Sequence, residues 1–394
     1  MTATHFRLPA EWEPQAAVLI AWPHEGTDWG PRLLETESSY VALASAIARF
    51  ERVLVCVPDD AVRERAIELL GAGGANLSDV RFVEIPYDDT WLRDSGPITL
   101  ISETGHPRIE SGAGSAAARM RRVRHMSGLA FGESDGKQSD SPSAHPCADD
   151  LDLRFCLADF RFTGWGGKFE GSRDDALIEG LLERDVFAPG AGHARYDWAL
   201  EGGAIESDGR GTLLTTWRCL HQRHPNLSRE EMTKQLRESL GAQRVLWLTR
   251  GYLQGDDTDA HIDTLARFAP DGAIVFQACE DADDPHFEEL AAMREELQAL
   301  RTADGRPYRL HALPWAKPII DEGRRLAASY ANYLIVNDAV LVPAYSDAAD
   351  FDAARIIGEA HPGREVVQIP CRPLIWQNGS LHCVTMQLPE GALA

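Results

Sequence analysis

The residues best suited to chemistry are one thiol, one imidazole and three carboxylates. The thiol is Cys383, in Gly379-Ser380-Leu381-His382-Cys383-Val384-Thr385. The imidazole is His261, in Asp259-Ala260-His261-Ile262-Asp263. The carboxylates are Asp263, Asp94 in Trp91-Leu92-Arg93-Asp94-Ser95-Gly96-Pro97, and Glu201 ahead of Gly202-Gly203. A thiolate attacks an electron-poor carbon, an imidazole moves protons, and carboxylates hold a cationic substrate. Each also has an ordinary use. A lone cysteine is more often a core residue, and an Asp before Ser-Gly-Pro is a turn residue. Against a core site for Cys383 stands the polar string Gln377-Asn378-Gly379-Ser380.

Read as strand, Leu381–Leu388 turns His382 away from Cys383, because successive side chains point to opposite faces. The same period puts His261 and Asp263 on one face. His-x-Asp is also a metal-ligand pair, so a metal-dependent hydrolase built on His261, Asp263, Asp94 and Glu201 stays open. The chain lacks Cys-x-x-Cys and His-x-x-x-His spacing, which weighs against zinc.

These residues are far apart, so the fold must gather them. Three segments read strand, turn, strand, helix, strand. The turns are Asp208-Gly209, Asp271-Gly272 and Asn337-Asp338. The amphipathic stretches are 228–240, 285–300 and 350–360, and the closing strands are Arg244–Thr249, Arg309–Pro314 and Val366–Pro370. The repeat is on the order of 65 residues. A fourth unit joins the ends: the strand holding Cys383 pairs with 16–22, followed by a helix at 33–49 and a strand at 52–58. A fifth has strands at 97–101 and 153–160, a helix at 174–184 and a strand near 186. The expected fold is α/β, with five hairpin–helix–strand units around an axis. An ordinary α/β sheet is the alternative. Residues 105–150 break the pattern. A basic run (Arg119, Arg121, Arg122, Arg124) leads into a Gly-, Ser- and Asp-rich stretch, read as a mobile insertion in a single catalytic domain spanning 1–394.

The formal charge is −22 over 394 residues. A phosphate backbone or an anionic bilayer surface calls for a basic face, so nucleic acid and membrane are excluded as partners. A small cationic substrate suits the acidic field, and homo-oligomerisation stays open. Seven cysteines without an even framework fit a reduced cytoplasm.

Asp88–Pro97, Gly164-Trp165-Gly166-Gly167-Lys168-Phe169, Leu200–Gly203, His261-Ile262-Asp263 and Gly379–Gln387 closely resemble the agmatine deiminase family. That family overlaps the bacterial peptidylarginine deiminases within the guanidine-modifying pentein superfamily. Pro9-Ala10-Glu11-Trp12-Glu13-Pro14-Gln15 and Arg325-Leu326-Ala327-Ala328-Ser329-Tyr330-Ala331-Asn332 resemble it too. The resemblance implies a five-unit pseudo-symmetric α/β propeller. It implies that Cys383 is the nucleophile, His261 the acid/base, Asp94 and Asp263 the grips on the guanidinium, and Glu201 a further grip that supports His261. Trp91 would line the substrate's aliphatic arm. No metal or organic cofactor is implied. Agmatine is the expected substrate, giving N-carbamoylputrescine and ammonia; peptidyl-arginine or another guanidino compound is the alternative. A non-catalytic guanidinium-binding protein would not need the thiol. Two segments depart from the family pattern: Gln377–Leu381, and Lys168–Asp175, where Glu170, Asp174 and above all Asp175 are expected to meet a distal amine.

Overall fold

The computed structural model describes residues 5–102, 147 and 153–394. Within them, five mixed sheets share one pattern: an antiparallel pair, then a strand added in parallel. Thr385–Pro389 lies antiparallel to Gln15–Ala21, which runs parallel to Arg52–Val57; Val80–Glu84 extends this sheet. Ile98–Ser102, Phe155–Arg161 and Ala191–Ala199 repeat the order, with Phe6–Arg7 at the edge. So do Ile205–Ser207, Thr212–Thr216 and Arg244–Leu248. Ala266–Ala269, Ala273–Gln277 and Arg309–Leu313 follow, then Leu334–Val336, Ala339–Ala344 and Glu365–Pro370. A parallel pair needs a long crossover, and helices supply it: Leu33–Ile47, Leu177–Glu183, Arg229–Leu240, Phe287–Ala299 and Asp350–Ala360.

Local sequence explains these elements. Asp271 and Gly272 have φ of 59° and 69°, the paired left-handed residues of a tight hairpin turn. Ser228 and Glu231 form a capping box that starts Arg229–Leu240, and the helix buries Met232, Leu236 and Leu240 along one face. The central strands are apolar on both faces. Val18, Ile20, Val53 and Val55 enter one core cluster, while Leu19, Ala21, Leu54 and Cys56 enter another.

Several sequence expectations need correction. The closing strand of the second sheet is Ala191–Ala199, not a strand near 186. After the helix, Asp185 turns at φ 51° and Gly190 at φ 90° before that strand begins. Cys383 is not on a strand. Residues 381–384 form a turn, in which the His382 and Cys383 amides donate to the Asn332 side chain. His261 and Asp263 are not on a strand either. Asp259 and Ala260 sit at positive φ, and His261 caps a 3-10 turn, Ile262–Thr264. The seven cysteines are not all reduced: Cys147 and Cys156 are joined by a disulfide. Apart from Cys147, the insertion expected at 105–150 lies outside the described residues. No helix among the described residues is long and apolar enough to cross a membrane.

Gly241 ends its helix at φ 65°, and a Cβ there would lie 1.9 Å from the Phe6 carbonyl oxygen. Gly241→Ala therefore combines a left-handed strain with a backbone clash, and should cost about 2 kcal/mol or more. Urea denaturation of the purified variant measures it; an unchanged midpoint would contradict the packing described.

Candidate active site

Cys383 is buried, 3% exposed. Its Sγ lies 3.2 Å from Asn332 Nδ2 and 3.6 Å from Asp263 Oδ2. Gly379 passes beneath the Trp91 indole, where a Cβ would come within 2.2 Å of the ring. A side chain at 379 would displace the aromatic wall beside the thiol.

The carboxylates are each held by part of their acceptor capacity. Asp94 sits on a one-turn helix, Leu92–Ser95. It accepts from Trp165 Nε1 at 2.9 Å and from the Gly203 amide at 3.0 Å. Glu201 Oε1 accepts from Arg223 Nε at 2.6 Å. Asp263 Oδ2 is bonded to His382 Nδ1 at 2.8 Å. Three groups are left without a hydrogen-bond partner although buried: Glu201 Oε2, Asp263 Oδ1 and both ring nitrogens of His261. His261 Nδ1 lies 3.6 Å from Asp94 Oδ1, and Nε2 lies 3.7 Å from Glu201 Oε2. Gly203 is the pivot of this arrangement. A Cβ there would stand 2.6 Å from His261 Nδ1, 2.8 Å from Asp94 Oδ1 and 3.2 Å from Asp263 Oδ2.

Each of the five sheets delivers residues from the same place, just ahead of the first strand of its hairpin. Asp94 precedes Ile98, Glu201 precedes Ile205, and His261 with Asp263 precede Ala266. Asn332 precedes Leu334, and Cys383 precedes Thr385.

A cavity of about 430 Å³ opens onto Cys383 and Asp94. Trp91, Trp165, Phe169 and Trp376 form its apolar wall. Its charged groups, besides Asp94, are Asp28, Asp89, Asp257 and Arg324.

Burial pushes the Cys383 thiol well above its ordinary range, and the Asp263 and Asp94 charges push it further. Burial raises Asp94 to about 6, against the opposing pull of His261. Burial also acts upward on Glu201, but contacts with His261 and Arg223 bring it down to about 2. For His261 burial acts downward, yet the Asp94 carboxylate, Cys219 and Glu201 raise it well above 6.5. The site is thus a protonated thiol beside an imidazolium and carboxylates. A cation entering among those carboxylates offsets the charge that holds the proton on sulfur.

The structure brings Cys383, His261, Asp94, Asp263, Glu201 and Trp91 together. It does not bring Asp175 to the cavity. That carboxylate is bonded to Arg195 at 2.5 Å and to the Phe162 amide at 2.6 Å. Asp174 accepts from the Asp88 and Asp89 amides, Glu170 from Ser172, and Lys168 pairs with Asp259. The acids that line the cavity besides Asp94 are Asp28, Asp89 and Asp257 instead. Sequence reasoning also missed three contacts. Asn332 and Trp165 stood in recognisable motifs without a role. Arg223, fully buried against Glu201 and Asp259, carried no motif signal. His382 does not pack on an idle face; it bonds Asp263.

Among the described residues, one trio could offer a metal three ligand atoms within 4.8 Å of one another: Glu201, Cys219 and His261. The Arg223 guanidinium already neutralises Glu201 there, which opposes a dication.

The model of the Porphyromonas-type peptidyl-arginine deiminases matches residues 7–389. The chain belongs to that family. It is 32% identical to the agmatine deiminase of Pseudomonas aeruginosa strain LESB58, over 98% of this chain and 96% of the relative. A crystal structure from Porphyromonas gingivalis, provisionally assigned as an arginine deiminase, is 41% identical with a TM-score of 0.80. It covers 99% of this chain and 100% of that one. A cysteine-to-serine variant of the C. jejuni agmatine deiminase, solved with substrate bound, is 29% identical. Its TM-score is 0.79, with 99% and 98% covered.

Gly203→Ala should lower turnover about 100-fold, because a methyl displaces His261 and Asp94 by a good part of an ångström. Ammonia release, with the melting temperature recorded alongside, tests it. Near-normal turnover would mean the two groups do not meet at Gly203.

Proposed function

We propose that this protein hydrolyses the C–N bond of a guanidinium, with agmatine as substrate and N-carbamoylputrescine and ammonia as products. The observation that carries this reading is the set of buried groups without partners around a buried thiol. Asp263 Oδ1 and Glu201 Oε2 are acceptors with nothing donating to them. A planar guanidinium carries N–H donors on every edge and satisfies both at once.

The chemistry follows from the same geometry. The bound cation lowers the cost of the Cys383 thiolate, the thiol proton passes to solvent because His261 already carries one, and the sulfur attacks the guanidinium carbon. The His261 imidazolium gives its proton to one nitrogen, which leaves as ammonia. An S-alkylthiouronium remains. Neutral His261 then takes a proton from water, and the hydroxide attacks the same carbon. The C–S bond breaks, the O–H proton of the departing ureido group passes to the sulfur, and the neutral ureido product leaves with the Cys383 thiol and the His261 imidazolium restored. Asp94 and Asp263 offset the positive charge through both halves. We further propose that the five sheets are five units of a propeller with this site on its axis. The matching positions of Asp94, Glu201, Asp263, Asn332 and Cys383 in the five hairpins support that.

Asp28, Asp89 and Asp257 line the cavity and favour an amine in it, which agmatine carries. Arg324 favours the second reading. It lines the same cavity and would meet the carboxylate of free or peptide-terminal arginine. Ureido-product formation from agmatine, arginine and an arginine peptide, measured side by side, decides. We expect agmatine to lead, and Cys383→Ser to be inactive on all three while remaining folded. Equal efficiency on arginine would transfer the substrate to the second reading. Turnover by Cys383→Ser would remove the nucleophile.

Asp94 sets the pH dependence. Its pKa is raised from 3.8 to about 6, so between those values it is neutral in the folded protein and ionised only above. kcat/KM should therefore fall as pH drops through about 6. Asp94→Asn should remove that limb and lower the plateau by two to three orders of magnitude, roughly the 3–5 kcal/mol of a broken buried pair. A limb that survives in the variant would assign it to another group.

A further inference from the structure

Behind Asp263 lies a buried chain of charged groups that the reaction itself does not use. His382 Nδ1 bonds Asp263 Oδ2 at 2.8 Å, and its Nε2 bonds Glu11 Oε2 at 2.7 Å. Glu11 is fixed in turn. Its Oε2 accepts from Arg267 Nη2 at 2.8 Å, and its Oε1 accepts from the Ile335 amide at 2.7 Å. Arg267 spans Glu11, Glu206 and the Tyr333 carbonyl, and is fully buried. The His382 amide donates to Asn332, which also reaches Cys383 Sγ. Asp263, His382 and Glu11 are 0%, 1% and 6% exposed, so the chain is shielded from bulk solvent.

Asp263 needs two things at once if it is to grip a guanidinium. One oxygen must be free and aimed, and the group must stay ionised in a dry site that also holds Asp94 and Glu201. An unpartnered carboxylate there would take a proton or rotate. His382 occupies Oδ2 and leaves Oδ1 unpartnered. Glu11 holds the far side of the imidazole, and Arg267 balances Glu11.

We propose that His382 and Glu11 are positioning residues: together they hold Asp263 ionised, with Oδ1 turned to the substrate. This rests on the guanidinium-hydrolase reading above. The groups facing Asp263 are His382, which bonds it, then His261, Arg267 and Arg93 on the positive side, and Cys383 and Asp94 on the other. Burial acts upward on Asp263, and the His382 contact together with the His261 and Arg267 charges outweighs it, so its pKa lies below the usual range. Activity that needs its ionised form is therefore present above that pKa. Losing His382 moves the pKa up and moves the loss of activity to higher pH.

The test is the pH profile of kcat/KM for His382→Gln and Glu11→Gln, with melting temperatures, beside the wild type. In His382→Gln the acid limb should steepen, because a second carboxyl now titrates, and move up by about one pH unit. Toward alkaline pH, where Asp263 ionises without help, the variant should recover to within roughly tenfold of the wild type. Glu11→Gln keeps the contact shape and should shift the limb the same way by less. If His382→Gln does not fold, the Glu11→Gln profile carries the decision. A loss uniform across pH, with the limb unmoved, overturns the assignment and makes the chain a purely structural brace. Wild type inactive on every guanidino compound would instead overturn the hydrolase reading.

Discussion

Keeping carboxylates charged while they are buried is the constraint around which this structure is organised. Asp94, Asp263 and His261 converge on Gly203, Glu201 lies against the same imidazole, and all four side chains are buried. Taking such charges out of water costs several kcal/mol each unless cations or donors stand behind them. Each acid meets the cost differently. Glu201 leans on Arg223, and Asp263 leans on His382, Glu11 and Arg267. Asp94 has two neutral donors and the His261 ring 3.6 Å away, and it is the one of the three whose pKa burial succeeds in raising, to about 6.

The supporting shell is thus as much a part of the site as the groups that touch substrate. It also accounts for residues that a catalytic inventory leaves idle. Trp165 fixes Asp94 and forms part of the cavity wall, so one indole serves both orientation and apolar contact. Asn332 ties the Cys383 turn to the fifth hairpin with one side chain, accepting two amides and donating toward sulfur.

Much of this was legible in the chain, for physical reasons. The hairpins at Asp208-Gly209, Asp271-Gly272 and Asn337-Asp338 announce themselves because few residues accept left-handed φ. The helices after them show as amphipathic stretches. The thiol, imidazole and acids stood out by type and by their motifs. What stayed hidden was partnership across the fold. Nothing local in Glu11 says that it will meet His382, 371 positions on, and nothing local in Arg223 points to Glu201. The alternation rule misplaced His382 because it assumed a strand, whereas the segment turns to reach Asn332. The same assumption failed at His261, where two positive-φ residues bend the chain before any strand begins. Asp175 misled because a carboxylate in a departing segment looks free until Arg195, from a neighbouring strand, is seen to hold it.

The pairing of Gln15–Ala21 with Thr385–Pro389 has a consequence for how the protein is made. The first of these strands leaves the ribosome long before the second exists, and it is apolar on both faces. Until residues 385–389 arrive, its edge stands open to any strand that passes, including another copy of itself. The nucleophile sits just ahead of that segment, and the glutamate that supports its neighbour sits just ahead of Gln15–Ala21. Closing the first sheet and bringing the thiol into place are therefore one event. A chain stopped short would be both inert and adhesive.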